Sequence, residues 1–191
     1  MRSILLIVLS VTILLGCARS VSRIDPGTSI DLSGRWNDTD SRAVAETMTN
    51  ELLTSNKFKE FAKKEGKKPA IIVGWILNNT SEHIDADNFI KKIELTIFNS
   101  GIADLVESES FKDKLRKERA QQQDFSSSET ASQWGLEVGA DLMLFGEMTS
   151  ETDVYNNKRV VNYIVTLFLT DIETNVRVWY GQKEIKKFIK N

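Results

Sequence analysis

The sequence predicts an α/β (α+β) domain built on a mixed β-sheet with helices on both faces. Three observations carry this. Helical patterns come before and between the early strands. The run Ala70 to Leu77 is apolar on both faces, as a strand is when its sheet is covered on both sides. The last third of the chain alternates and turns in hairpins, so antiparallel strands close it.

The elements follow in order. Asp38, Thr39, Asp40 and Ser41 offer short side-chain oxygens as N-caps, and Val44, Met48 and Leu52 recur behind them at helical spacing, with Ala45 and Leu53 widening the stripe. The lysine-rich segment Lys57 to Lys68 is read as the end of this helical region, with Pro69 stopping it. Asp85 or Asp87 caps a second helix through Phe89, Ile93 and Ile97, and Gly101 stands past its end. Ala103 to Val106 reads as a short strand. Phe111 to Gln123 reads as a charged helix with Phe111 and Leu115 as its apolar stripe. Ser126 and Glu129 have capping-box spacing for a further helix through Trp134 to Val138, which Gly139 ends. Leu142 to Met148 is a strand. Asn156-Asn157 is a hairpin turn. Val160 to Thr170 places Val161, Tyr163, Val165, Leu167 and Leu169 on one face. Glu173-Thr174-Asn175 turns the chain into a last strand, Val176 to Ile185.

The N-terminus carries a separate message. The apolar run Ile4 to Leu15 has the length of a signal-peptide core and falls short of the roughly 20 residues a membrane span needs. It ends in Leu14-Leu15-Gly16-Cys17, and Cys17 is the only cysteine of the 191 residues. The reading is a lipoprotein signal, 1–16, cut before Cys17, whose thiol and freed amine then carry acyl chains such as palmitate. More than one chain is needed for firm anchoring. Residues 17–30 form the lipidated N-terminus and a short tether, with Pro26-Gly27 as a break. Residues 31–191 form a single globular domain. Fully extended, the roughly 14 residues of the tether reach at most about 50 Å.

Inventory excludes most chemistry. His83 is the only histidine and sits in a polar loop, so a Ser-His-Asp triad and paired-histidine zinc sites fail. With Cys17 lipidated no thiol nucleophile or disulfide remains. No glycine-rich phosphate loop appears. The leader carries one positive charge, Arg2, so its loss takes the formal charge from −2 to −3, too mild a balance to point to nucleic acid. No enzyme activity, metal, cofactor or small-molecule substrate is expected. Two features remain as binding candidates. The lysines 57, 59, 63, 64, 67 and 68 are either a solvated helix end or a contact for anionic groups. The stretch Arg35, Trp36, Asn37, Asp38 and Asp40 holds a tryptophan among polar residues just before a helix. It is either a partner contact or a place where Trp36 folds back onto the core and Arg35 pairs with an aspartate.

That stretch also carries a resemblance. Asp31-Leu32-Ser33-Gly34-Arg35-Trp36-Asn37-Asp38-Thr39-Asp40-Ser41 resembles the opening of the LpoB-like lipoproteins. The likeness continues through Val73-Gly74, Asn78-Asn79-Thr80-Ser81-Glu82-His83-Ile84 and the Arg119 to Phe125 segment. It resumes at Glu129-Thr130-Ala131, Gly139-Ala140-Asp141 with Gly146, Tyr163 to Leu167, Val178-Trp179 and Gln182 to Ile185. It implies a fold like the TolB N-terminal domain and an outer-membrane, lipid-anchored, periplasm-facing protein. It also implies a non-catalytic role, binding and activating a peptidoglycan synthase, a class A penicillin-binding protein. The short tether sets this chain apart from the best-known activators, whose long tethers cross the wall. The alternative is a structural or assembly lipoprotein of an outer-membrane or secretion complex.

Overall fold

A computed structural model describes residues 20–108, 111–117 and 139–190. Within these, helix α1 spans Asp38–Thr54 and α2 Asn56–Glu65; strand β1 is Ala70–Asn78, α3 Ala86–Ser100 and β2 Asp104–Leu105. Residues 111–117 are helical. Three long strands follow, β3 Leu142–Tyr155, β4 Lys158–Asp171 and β5 Arg177–Lys190. The sheet runs in the order β2-β1-β3-β4-β5. Its first two pairings are parallel and its last two antiparallel, so the expected mixed α/β sheet is what the chain forms.

One face of the sheet and the helices make the core. Leu142, Leu144 and Met148 of β3 and Val161, Tyr163, Val165, Leu167 and Leu169 of β4 are buried in alternating register. Val44, Met48 and Leu52 of α1, Phe58 of α2 and Phe89, Ile93 and Ile97 of α3 complete the same cluster. In β1 the register slips between Val73 and Ile76, and this bulge keeps both residues on the buried side while Gly74 and Trp75 turn outward. The other face holds an aromatic row across four strands. Trp75 to Phe145 and Phe145 to Phe168 are 5.5 Å apart, Phe168 to Tyr180 is 5.4 Å, and Arg177 lies over Phe168. Helices α1, α2 and α3 cover the first face; on the second, Trp75 is 54% exposed. The expected helix through Trp134 to Val138, and Cys17 with its leader, lie outside the described residues.

Local chemistry corrects several boundaries. Lys57 to Lys68 does not simply end α1. Ser55 adopts an extended backbone that closes α1, and its hydroxyl accepts from the Phe58 amide to start α2, a separate helix anchored by buried Phe58. The N-cap of α1 is Asn37, one residue ahead of the expected set, with Asp40 as its capping-box partner. Asp85 caps α3 and Gly101 ends it in the left-handed conformation, as the sequence predicts. The strand expected over Ala103 to Val106 shrinks to two residues. β3 and β5 run well past their expected ends at Met148 and Ile185. The added residues, such as Lys186-Lys187-Phe188, are too polar to advertise a strand, but β5 is a sheet edge, where lysine is common. Turns at Asn156 and Asn175 use positive φ, 50° and 59°, which asparagine tolerates better than most residues.

Candidate partner-binding site

Residues 31–37 form a strap that leads into α1 and is held against the end of the sheet by two charged side chains. Lys187 of β5 reaches up from the buried face. Its ammonium donates to Asp31 Oδ1 at 2.6 Å and to the Arg35 carbonyl at 2.9 Å, and pairs with Asp40 Oδ2 at 2.5 Å. Three donors meet three acceptors, which is what an ammonium only 9% exposed requires. Burial works against its charge and the two carboxylates outweigh burial, so its pKa lies above the ordinary lysine value. The hydrogen bond from Lys187 holds the Asp31 carboxyl below the usual carboxylate range.

The second clasp has the opposite sign. Glu82 sits in the loop after β1, its side chain 9% exposed. One oxygen accepts from the Trp36 amide at 3.2 Å; the other accepts from the Tyr163 hydroxyl at 2.8 Å and faces Arg159 Nη2 at 3.5 Å. Burial, then the Glu82 contact, pushes the Tyr163 hydroxyl well above its ordinary pKa and keeps it a neutral donor. Asn78 aims this loop. It donates to the Glu82 carbonyl at 2.8 Å, and its side-chain oxygen accepts from the Thr80 amide and hydroxyl. The Asn78 to His83 motif is thus a device for placing Glu82.

The two clasps grip one peptide group. The Arg35 carbonyl goes to Lys187 and the Trp36 amide, the other end of the same unit, goes to Glu82. A peptide dipole with its oxygen toward a cation and its hydrogen toward an anion is favourably aligned at both ends. The chain reaches this pose through Gly34, at φ 68°, where a side chain would also overlap Ile189 of β5. Glycine alone meets both demands.

The five residues singled out from the sequence divide accordingly. Trp36 folds back. Its indole N–H donates to Ser41 at 2.7 Å and its ring meets Phe89 and Tyr163 edge-on at centroid distances of 6.5 and 5.5 Å. Asn37 caps α1, accepting from the Thr39 and Asp40 amides, and the Asp40 carboxylate in turn accepts from the Asn37 amide at 2.9 Å. Asp38 is exposed and pairs with Arg42 at 2.8 Å. Arg35 is exposed, and the expected Arg35–aspartate pair does not form; Lys187 takes the aspartates instead. Lys187 lies past the expected end of the last strand at Ile185 and carried no sequence signal for this role.

Beside the strap lies a groove of about 480 Å³ between the starts of α1 and α3, lined by Trp36, Asp38, His83, Asp85, Asn88 and Lys92 among others. No group of three or more metal-ligating residues occurs among the described residues. Other motif residues serve the fold. Asp141 accepts from the Ala70 amide and from Lys67, both at 2.8 Å, tying the starts of β1 and β3 together. Lys68 faces Asp104, so among the described residues two of the six clustered lysines are paired.

Solved structures of similar arrangement include the LpoB C-terminal domain from Salmonella enterica, 16% identical with a TM-score of 0.46 over 76% of this chain and 98% of that one. The corresponding domain from Escherichia coli is 17% identical, with a TM-score of 0.44 over 80% and 99%. A PelC dodecamer from Paraburkholderia phytofirmans is 19% identical, with a TM-score of 0.37 over 62% and 72%. No curated protein matches the sequence at a significant level. The family model described as peptidoglycan-synthase activator LpoB matches residues 40–185, from the capping aspartate of α1 to the middle of β5. The chain therefore belongs to the LpoB family of peptidoglycan-synthase activators.

Proposed function

We propose that this protein is an outer-membrane lipoprotein that binds a class A penicillin-binding protein and raises its synthase activity without catalysing a reaction itself. The observation that carries the reading is the family match across the folded part of the chain. In this reading, residues 1–16 are removed, Cys17 carries the lipid, residues 18–30 tether the domain, and residues 31–191 fold as one periplasm-facing unit. The contact is assigned to the strap, through Arg35 and Asp38 and the exposed edge of Trp36 beside the groove, with Asn37 and Asp40 setting its shape. Activation works by differential binding: the partner stabilises the active conformer of the synthase only to the extent that it binds that conformer better.

The test uses the processed full-length lipoprotein in detergent with the class A synthases of its own organism. The expected result is binding to one of them and a several-fold faster glycan polymerisation, of the order an allosteric coupling of about 1–3 kcal/mol supports. If none binds or changes rate, the activator role falls. The short tether favours a second reading in that case, an assembly lipoprotein working close to the membrane that holds it, since about 50 Å of chain limits what it reaches. Chemical crosslinking in cells followed by purification of the lipoprotein separates the two by the partner recovered.

A further inference from the structure

The two edges of the sheet are unlike. β2 offers two residues, too few to template a strand. β5 offers fourteen. The strap crosses near its end but touches it through side chains, and among the described residues no backbone hydrogen bond reaches β5 from outside the sheet.

The ladder fixes which groups stand open. The Met148 carbonyl is taken by the Asn79 amide on the β1 side, so Thr149 bonds Ile164 of β4 and, by alternation, the odd-numbered residues of β4 bond β5; the register shift between Leu169 and Thr170 lies before this stretch. Leu169, Leu167, Val165, Tyr163 and Val161 therefore spend their backbone groups on Trp179, Gly181, Lys183, Ile185 and Lys187. The amides and carbonyls of Tyr180, Gln182, Glu184, Lys186 and Phe188 point away from the sheet. These same residues carry their side chains on the outer face, where Tyr180 and Phe188 are 53% and 64% exposed.

The charge on this edge is one-sided. β5 holds Arg177, Lys183, Lys186, Lys187 and Lys190 against Glu184 alone. Lys187 is spent on the strap, and Glu184 accepts from Asn162 at 3.0 Å. Lys190 stands directly across from Lys158, a like-charge pairing that costs stability until an anion relieves it. Neither Lys186 nor Lys190 has an ion-pair partner among the described residues.

We infer that the open edge of β5 from Tyr180 to Lys190 takes an extended acidic segment of a partner protein as a sixth, antiparallel strand. Backbone bonds to the open groups supply the attachment, and acidic side chains on the outer face meet Lys186 and Lys190. The inference goes beyond the synthase reading, because any partner that brings such a segment satisfies it.

The probe is a synthetic peptide of about ten residues alternating glutamate and valine, titrated by fluorescence anisotropy against the full-length lipoprotein in detergent at low salt. Saturable binding is expected, at least about tenfold tighter than for the lysine–valine analogue. In an antiparallel addition, residues bonded to β5 have side chains on the same face as Lys186. N-methylation of every glutamate should then cost at least about tenfold, and N-methylation of every valine should be tolerated. Gln182→Pro removes an outward amide and no ladder bond, and should weaken binding similarly. The inference is overturned if the glutamate peptide does not bind, if the lysine peptide binds as well, if both methylated peptides bind alike, or if only the valine-methylated one loses binding. It is also overturned if the wild-type protein is a dimer that Gln182→Pro dissociates, since a second copy is then the occupant. The peptide variants keep the test decisive even if the proline variant misfolds.

Discussion

Lys187 and Glu82 hold opposite ends of the Arg35–Trp36 peptide group, and they differ in how their own charges are balanced. Lys187 is one cation among two carboxylates and a carbonyl. Glu82 is one anion among an amide, a phenol and a guanidinium. The escape routes differ too. Asp31, at 52% exposed, can return to water if Lys187 is lost, leaving only Asp40 buried with excess charge. Around Glu82 less escapes: Tyr163 is buried, and Arg159, 35% exposed against 52% for Asp31, already has one buried nitrogen, Nε, without a partner. A clasp whose partners can rehydrate costs less to break, so the Glu82 side should be the stronger restraint.

Truncating Glu82 to alanine is accordingly expected to have the largest effect. It strands the Tyr163 hydroxyl and the Trp36 amide and takes the carboxylate from the partly exposed Arg159 guanidinium, and should cost about 3–5 kcal/mol. In a domain of this size that lowers Tm by roughly 10 °C or more, readable by thermal denaturation followed in circular dichroism. Glu82→Gln keeps one acceptor, for the Trp36 amide, and can donate its NH2 to the Tyr163 hydroxyl oxygen in place of the second, so it should lose about half as much. A Glu82→Ala loss under about 1 kcal/mol removes the asymmetry between the clasps.

Lys187→Met follows at about 2–3 kcal/mol, because it leaves Asp40 as the buried uncompensated anion. Combining it with Asp40→Asn should recover a measurable part of that loss, since the two residues share one contact and their changes are not additive. Strict additivity in the double mutant means that the Lys187–Asp40 pair is idle.

The pH dependence sharpens the same comparison. Asp31 has its folded pKa depressed by Lys187, so its contribution is full above the ordinary carboxylate value of about 3.9 and is lost as pH falls through the lower folded value. Lys187 has its pKa raised, so its contribution is full below about 10.4 and is lost only as pH climbs through the higher folded value. Hydrogen exchange at the Arg35 and Trp36 amides should therefore show the strap equally protected from about pH 5 to 9, once intrinsic rates are divided out, and loosening in acid below about pH 4. Protection that changes near pH 7 places another titrating group in control.

These clasps also show what the sequence could disclose. The stripe Val44, Met48, Leu52 and the alternation Val161 to Leu169 declare their buried faces directly, because period and polarity agree. The caps Asp85 and Gly101 are local and legible for the same reason. Lys187 is illegible because its partners lie 147 to 156 residues away and a lysine on an edge strand reads as solvated. The split between α1 and α2 is hidden since Ser55 is both stop and start, with no glycine or proline to mark it. In the strap, the two readings of Trp36 could not be separated in sequence: a tryptophan among polar residues looks alike whether its ring turns in or out, and only the positions of Phe89, Tyr163 and Ser41 decide it.

A smaller loss is expected at the cap. Asn37→Ala frees the Thr39 and Asp40 amides at the head of α1 and should cost about 1 kcal/mol, with Asn37→Ser largely restoring it. The loss is read as a shift in the denaturant midpoint at unchanged slope, and full stability in Asn37→Ala means that Asp40 and Lys187 alone define the turn.

The smallest effect on stability belongs to Arg35, and it is the most informative for function. Its carbonyl belongs to the Lys187 clasp, but its side chain is exposed, and alanine keeps the carbonyl in place. Arg35→Ala should change stability by no more than about 0.5 kcal/mol, as for surface substitutions in general. If the strap is the contact, the same change weakens synthase binding by about tenfold, since arginine is favoured among residues that dominate interfaces. Trp36→Ala cannot make this distinction, because it removes core packing and contact together. Unchanged binding in Arg35→Ala, with the fold intact, moves the contact away from the strap. Residues 31–37 then serve structure alone, fastening the segment ahead of α1 to the sheet.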